Sequence, residues 1–104
     1  MKFYVVTNYG GGENYTPSIT KTESDARKWM YECAASNIIC AYTDKCAEII
    51  RKKRDYDNEY EYHKALCEFA EDQGLPVEVY DKKIVIGDPD DGGNILQLFE
   101  ENID

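Results

Sequence analysis

Residues 22–73 carry apolar side chains at helical spacing, whereas the segments on either side are β-branched, aromatic and alternating. Side chains recur on one face about every 3.6 residues in a helix and every 2 in a strand, so this double change of period restricts the chain to strands at both ends and helices between them. At the N-terminal end Lys2–Asn8 (KFYVVTN) reads as a strand. Tyr15–Thr20 (YTPSIT) can return beside it, with Pro17 confining the return to a sheet edge. Gly10-Gly11-Gly12 lies between them. A phosphate cradle needs a helix N-terminus directly after the glycines, and here Glu13 and Asn14 follow instead, so the triplet reads as a flexible hairpin loop. At the C-terminal end Val77–Tyr80 and Lys83–Ile86 alternate around a two-residue Asp81-Lys82 turn. Asn94–Phe99 (NILQLF) is a third run, in which Ile95 and Leu96 suit either face. With 104 residues there is room for one domain, 1–104. The expected class is α+β: an antiparallel sheet of the N-terminal hairpin plus the C-terminal strands, packed against two or three central helices.

The helical middle has clear punctuation. Thr22 can cap a helix whose first turn holds Glu23 and Asp25, acids that suit the positive end of the helix dipole. Ala26, Trp29, Met30 and Cys33 then follow at helical spacing, which predicts that they face the core with Trp29 as its anchor. The pattern loosens near Ser36-Asn37 and resumes with Ile39, Tyr42, Cys46, Ile49 and Ile50. That fits one long bent helix or two joined between Asn37 and Asp44, and we read two. Arg51-Lys52-Lys53-Arg54 suits the negative end of that segment better than it suits a nucleic-acid patch in a chain of net charge −9. Asp57 or Asn58 caps the next helix, Asn58-x-x-Glu61 resembles a capping box, and Gly74 with Pro76 ends the helix after Gln73. Tyr62, Ala65, Leu66, Phe69 and Ala70 form its apolar face, and Tyr56, Tyr60, His63 and Cys67 form a flanking stripe.

Charge divides the chain sharply. Residues 1–54 hold 9 Lys+Arg and 6 Asp+Glu (+3), and residues 55–104 hold 3 and 15 (−12). An acidic half repels nucleic acid and anionic membranes and attracts basic protein surfaces. Mean hydropathy is −0.65 and no apolar run approaches the ~20 residues that span a bilayer. The short apolar start reads as a strand rather than a signal peptide. Cys33, Cys40, Cys46 and Cys67 lack CxxC spacing and are expected to be reduced, mostly buried and free of metal, in a cytoplasmic protein.

Ile86–Asn94 (IGDPDDGGN) has the look of a calcium loop. With Asp88 at position 1 of an EF-hand, Asp90 and Gly93 fall at positions 3 and 6, but Gly92 occupies 5 and Phe99 occupies 12, where oxygen ligands belong. Asp-Gly and Gly-Gly between apolar strands predict a hairpin turn instead. His63 and Cys67 can touch across one helical turn, yet no orienting acid or oxyanion segment accompanies them. GxSxG, P-loop and HExxH motifs are absent, so the sequence implies no catalytic residue, metal or cofactor.

The residues most suited to recognition lie in DYDNEYEY, where tyrosines interleave with acids. Carboxylates accept bidentate arginine bonds and aromatic rings accept cations. The candidate partner-binding set is Asp55, Tyr56, Asp57, Glu59, Tyr60, Glu61, Glu68 and Glu71 on and before the acidic helix, with Asp88, Asp90 and Asp91 from the turn.

FYVVTNY and TESDARKW near the start, and the I-x-I-x-D-x-D-D-G run followed by LQLFEEN near the end, resemble small proteins of phages and mobile elements in gut Firmicutes. In size, acidity and lack of catalytic parts the chain also resembles anti-CRISPR and related anti-defence inhibitors, some of which mimic nucleic acid. The resemblance implies a protein in the host cytoplasm that occupies a basic, nucleic-acid-binding surface of a host defence protein, a CRISPR effector among the candidates, without itself binding nucleic acid or membrane. The alternatives are a homodimer using the Tyr56/Tyr60/His63/Cys67 stripe, and a small enzyme with a Cys67/His63 pocket.

Overall fold

The structure, a computed structural model, describes residues 1–10, 13, 14 and 17–103. Its strands are β1 (Lys2–Gly10), β2 (Glu13–Asn14), β3 (Ser18–Thr20), β4 (Val77–Val79), β5 (Lys83–Ile86) and β6 (Asn94–Asn102). Its helices are α1 (Glu23–Tyr42), α2 (Ala47–Arg51) and α3 (Glu59–Asp72). The strands form one antiparallel sheet in the order β2-β1-β6-β5-β4, with β3 beside β2 along the same edge of β1. The two long strands, first and last in sequence, pair over their whole length from Lys2↔Asn102 to Gly10↔Asn94. The class is therefore α+β, with an N-terminal hairpin and C-terminal strands in one sheet. Of the expected Tyr15–Thr20 strand, Ser18–Thr20 is β3, while Tyr15 and Thr16, like Gly11 and Gly12 of the glycine triplet, lie outside the described residues.

Local chemistry explains the helix limits. The Asp25 amide donates to Thr22 Oγ1 at 3.1 Å, and the Glu61 amide donates to Asn58 Oδ1 at 2.9 Å, satisfying one free amide at each start. At the end of α3, Gly74 adopts φ +77, its amide donates to the Glu71 carbonyl, and the Leu75 amide donates to Ala70. This paired reach-back closes the helix as a glycine stop does. The middle segment is two helices, but the break falls at Thr43–Cys46, after α1 has run unbroken past Asn37. Ala34, Ala35 and Ile38 are buried there, so tertiary packing carries the helix through the stretch where its surface pattern loosens.

Helices α1 and α3 cover one face of the sheet, and α2 packs against α3. The core is built from Met30, Ile38, Leu66, Ile84 and Leu96, each fully buried, with Val6, Val77, Ile86 and Leu98 beside them. Burial of such a side chain stabilises by about 1.5–3 kcal/mol. Trp29 does not join this core: it is 43% exposed. Alanines 26, 34 and 35 bring α1 close to its neighbours, and the buried stripe follows 26, 30, 34 and 38 at spacings of four, which turns position 29 outward. Arg27 clamps α1 to the β4–β5 turn, donating to the Asp81 carbonyl at 2.8 Å and to its carboxylate at 3.0 Å while pairing with Glu23.

Candidate partner-binding surface

The chain enters α3 through a 3-10 turn at Lys53–Asp55. Tyr56 is extended there, and its ring lies 5.9 Å from that of Tyr62. Lys53 Nζ stands 5.5 Å from the centre of the Tyr62 ring, and Lys53, Tyr56, Asn58, Glu59 and Tyr62 line a shallow cleft of about 160 Å³. The two recognition tyrosines are thus partly committed to packing. Tyr56 rests on Tyr62, and Tyr60 stands edge-on to Tyr31, with centroids 5.8 Å apart.

The acids behave differently from one another. Asp55, Asp57, Glu59, Glu61 and Glu68 are exposed, and among the described residues the ion pairs are formed by other groups: Lys2–Glu100, Arg27 with Glu23 and Asp81, and Lys52–Glu48. Those five carboxylates therefore present their charge to solvent. Glu71 is also exposed, but its Oε2 accepts the Val79 amide at 2.6 Å, so it satisfies a donor of the edge strand β4. Asp88, Asp90 and Asp91 form a turn. Asp88 Oδ1 accepts the Asp90 amide, the Asp88 carbonyl accepts the amides of Asp91 and Gly93, and Gly92 takes φ +86 before β6 begins. This is a hairpin connection between two strands, as the Asp-Gly signal predicts.

The two acidic groups line separate clefts. The turn packs against β1 and faces the C-terminal half of α1 across an open cleft of about 530 Å³ bordered by Asn37, Tyr42, Pro76, Ile86 and Asp91. No residue of 55–61 borders it. The eleven candidate residues thus fall into an α3 group and a turn group rather than one continuous patch.

The flanking stripe is partly engaged within the fold. Cys67 is fully buried and Tyr60 packs on Tyr31, because α3 presents that side to α1. Of the four stripe residues Cys67 is buried, and Tyr56, Tyr60 and His63 keep part of their surface open to solvent. His63 lies half-buried against Tyr62, 5.5 Å between rings. Burial, and secondarily Glu68 and Cys46, pushes the Cys67 thiol up to about 12, which holds it protonated and unsuited to nucleophilic attack near neutrality.

One surface escaped the sequence reading. The sheet face opposite the helices carries exposed apolar side chains, Ile19 at 68% and Phe99 at 38%, interspersed with Thr7, Gln97 and Lys83. Its signal was present in FYVV and NILQLF, which are apolar at both parities, as strands covered on both faces are. No protein-family model matches the chain, and no curated protein or solved structure does.

Proposed function

We propose that the chain is a binding protein that lays its acidic α3 surface on a basic, nucleic-acid-binding surface of another protein and so inhibits it. The observation that supports this is that Asp55, Asp57, Glu59, Glu61 and Glu68 stand exposed on one helix and its lead-in, without cationic partners among the described residues. Arginines of a nucleic-acid channel are built to take up phosphate oxygens, and carboxylates offer the same acceptor geometry. Lys52 is paired with Glu48 and Lys53 rests over Tyr62, so the basic run before α3 is partly engaged within the fold. Among the described residues no helix is long and apolar enough to cross a membrane. Action in the host cytoplasm, on a defence nuclease such as a CRISPR effector, follows from the resemblance to anti-defence inhibitors.

The test is competition. Purified effectors are offered to the immobilised chain with and without DNA or guide RNA. Binding should fall as nucleic acid is added and as salt rises, since exposed charges are screened beyond about 8 Å at physiological ionic strength. Reversing Glu61 and Glu68 to Lys should cut affinity tenfold or more, a change of about 1.4 kcal/mol. Capture that is indifferent to both salt and the double reversal would remove α3 from the mechanism.

A further inference from the structure

Two clefts lie along α1 and join into one groove. The first, of about 270 Å³, is bordered by Trp29, Glu32, Cys33 and Ser36 with Asn8 of β1. The second is the cleft of about 530 Å³ between the β5–β6 turn and the end of α1, bordered there by Cys40 and Ala41. Asn37 borders both. A hydrogen bond makes a further link: Asn94 Nδ2 donates to Asn8 Oδ1 at 3.1 Å, and Asn94 borders the second cleft as Asn8 borders the first. Trp29, Cys33, Ser36 and Cys40 follow at spacings of three and four, which puts them on one continuous wall. From Trp29 to Ala41 that wall runs about 18 Å along the helix axis.

We infer that this groove binds an extended segment of a partner protein, with an arginine or lysine at each end of about six residues. Three observations select a basic segment. The first is charge. Among the described residues the groove is bordered by Glu32 towards one end and by Asp88 and Asp91 at the other, and by no Lys or Arg. None of the three carboxylates forms an ion pair among the described residues. Lys28, one helical turn before Glu32, borders neither cleft. Helix α1 ends at the groove with no basic residue in its last turn, so the negative end of its dipole adds to the two aspartates. The same charges disfavour a nucleic acid there. The second is the aromatic wall. Trp29 is the chain's only tryptophan, and it stands 43% exposed beside Glu32. An indole face is the best aromatic seat for a cation, and tryptophan is enriched among the anchors of interfaces. The third is the polar floor where the clefts meet. The Asn94–Asn8 bond uses one donor and one acceptor of the pair. Asn8 Nδ2 and Asn94 Oδ1 remain to donate to and accept from the backbone of an extended chain. No residue of α3 borders the groove, so this contact is separate from the acidic helix.

The experiment is a titration of the full chain with hexapeptides, acetylated and amidated so that only side chains carry charge. The probe has arginine at both ends of a Ser/Gly spacer. Trp29, as the only tryptophan, reports binding by its fluorescence. A saturable change is expected with a Kd of about 100 µM or below at physiological salt. The peptide should also slow disulfide labelling of Cys40. Glutamine in place of both arginines should abolish binding. Setting both arginines side by side at one end keeps the charge but gives up one seat, and should weaken binding about tenfold. Glu32→Gln with Asp91→Asn should weaken it by about tenfold or more with the circular dichroism spectrum unchanged, both side chains being exposed. Glu61→Lys with Glu68→Lys should change it by less than about threefold, so this reading and that of α3 fail separately. Absence of saturable binding up to about 1 mM overturns the inference. So does equal binding of the peptide with adjacent arginines, and so does wild-type affinity in the folded Glu32→Gln, Asp91→Asn variant. Loss of binding on reversing the α3 charges also overturns it, because the peptide would then be a counter-ion of that helix.

Discussion

The Tyr60 ring meets Tyr31 edge-on, with centroids 5.8 Å apart and planes inclined at 72°. This contact ties the acidic helix to α1 at the point where its charge begins. Edge-to-face rings add about 0.5–1.5 kcal/mol beyond the area they bury. Tyr60→Ala should therefore lower unfolding free energy by about 2–3 kcal/mol, read from the urea midpoint, half-burial keeping it below a full core truncation. Tyr60→Phe keeps the ring and should cost less than about 1 kcal/mol. Equal losses for the two substitutions would mean that the hydroxyl, not the ring, holds the helices together.

The pH dependence has a definite sign. Burial raises Tyr31 to about 12 in the folded chain, and burial raises Cys67 to about 12 as well. Unfolded tyrosine and cysteine titrate near ~10 and ~8.5. Between the unfolded and folded values the folded chain binds more protons than the unfolded one, so this stability is fully present below about pH 8.5 and is lost as pH rises toward 12. Urea midpoints should decline from about pH 9 upward. Cys67→Ala should make the earlier part of the decline shallower, the raised thiols of Cys33 and Cys46 carrying the remainder, and should leave the part that starts near pH 10 unchanged.

Gly10 and Gly93 approach across the β1–β6 end of the sheet, and neither tolerates a side chain. A Cβ on Gly93 would lie 2.3 Å from the Ile86 carbonyl oxygen and 2.7 Å from the Asp88 backbone. A Cβ on Gly10, at φ +132, would meet the Gly93 oxygen at 2.0 Å. Gly92 has open space around it but sits at φ +86. Gly93→Ala should cost about 3 kcal/mol or more because backbone must move, whereas Gly92→Ala should cost about 1 kcal/mol from its dihedral alone. Thermal melts of the two variants decide the order, and the reverse order would mean that the turn relaxes easily.

These cases show what could be read from the chain itself. Thr22, Asn58 and Gly74 were legible because capping chemistry is local: each satisfies backbone groups within a few residues. Trp29 was misplaced because helical spacing allows 26, 29, 30 and 33 to share a face, and only the close approach of Ala34 and Ala35 chooses the neighbouring stripe. The extent to which Tyr60 packs was not legible for the same reason. Which flank of α3 meets α1 depends on a crossing that no single helix encodes. Ile95 and Leu96 suited both faces of β6, and both faces are apolar. Of the candidate site, the exposure of Glu61 and Glu68 followed from the helix pattern, but the hydrogen bond from Val79 to Glu71 depends on where β4 docks.

Thiol labelling probes the layers of this packing in one experiment. Cys40 is exposed at the rim of the α1 cleft, Cys33 is half-buried, and Cys46 and Cys67 are buried. Burial raises the thiols of Cys33, Cys46 and Cys67. Reaction requires the thiolate and access to it, so both effects act in the same direction. At pH 7.5 a chromogenic disulfide should label one thiol per chain at once, and Cys40→Ser should abolish that phase. Cys33 should follow more slowly. Cys46 caps the five-residue α2, which can open without the sheet, so it should react before Cys67. Cys67 sits beneath α3 in the core and should react only as fast as the whole domain unfolds, so its rate should rise with urea as the global unfolding rate does. In denaturant all four should label together. Rapid labelling of two or more thiols in the native chain, or of Cys67 as fast as Cys40, would mean that α3 does not pack against α1 and α2 as described.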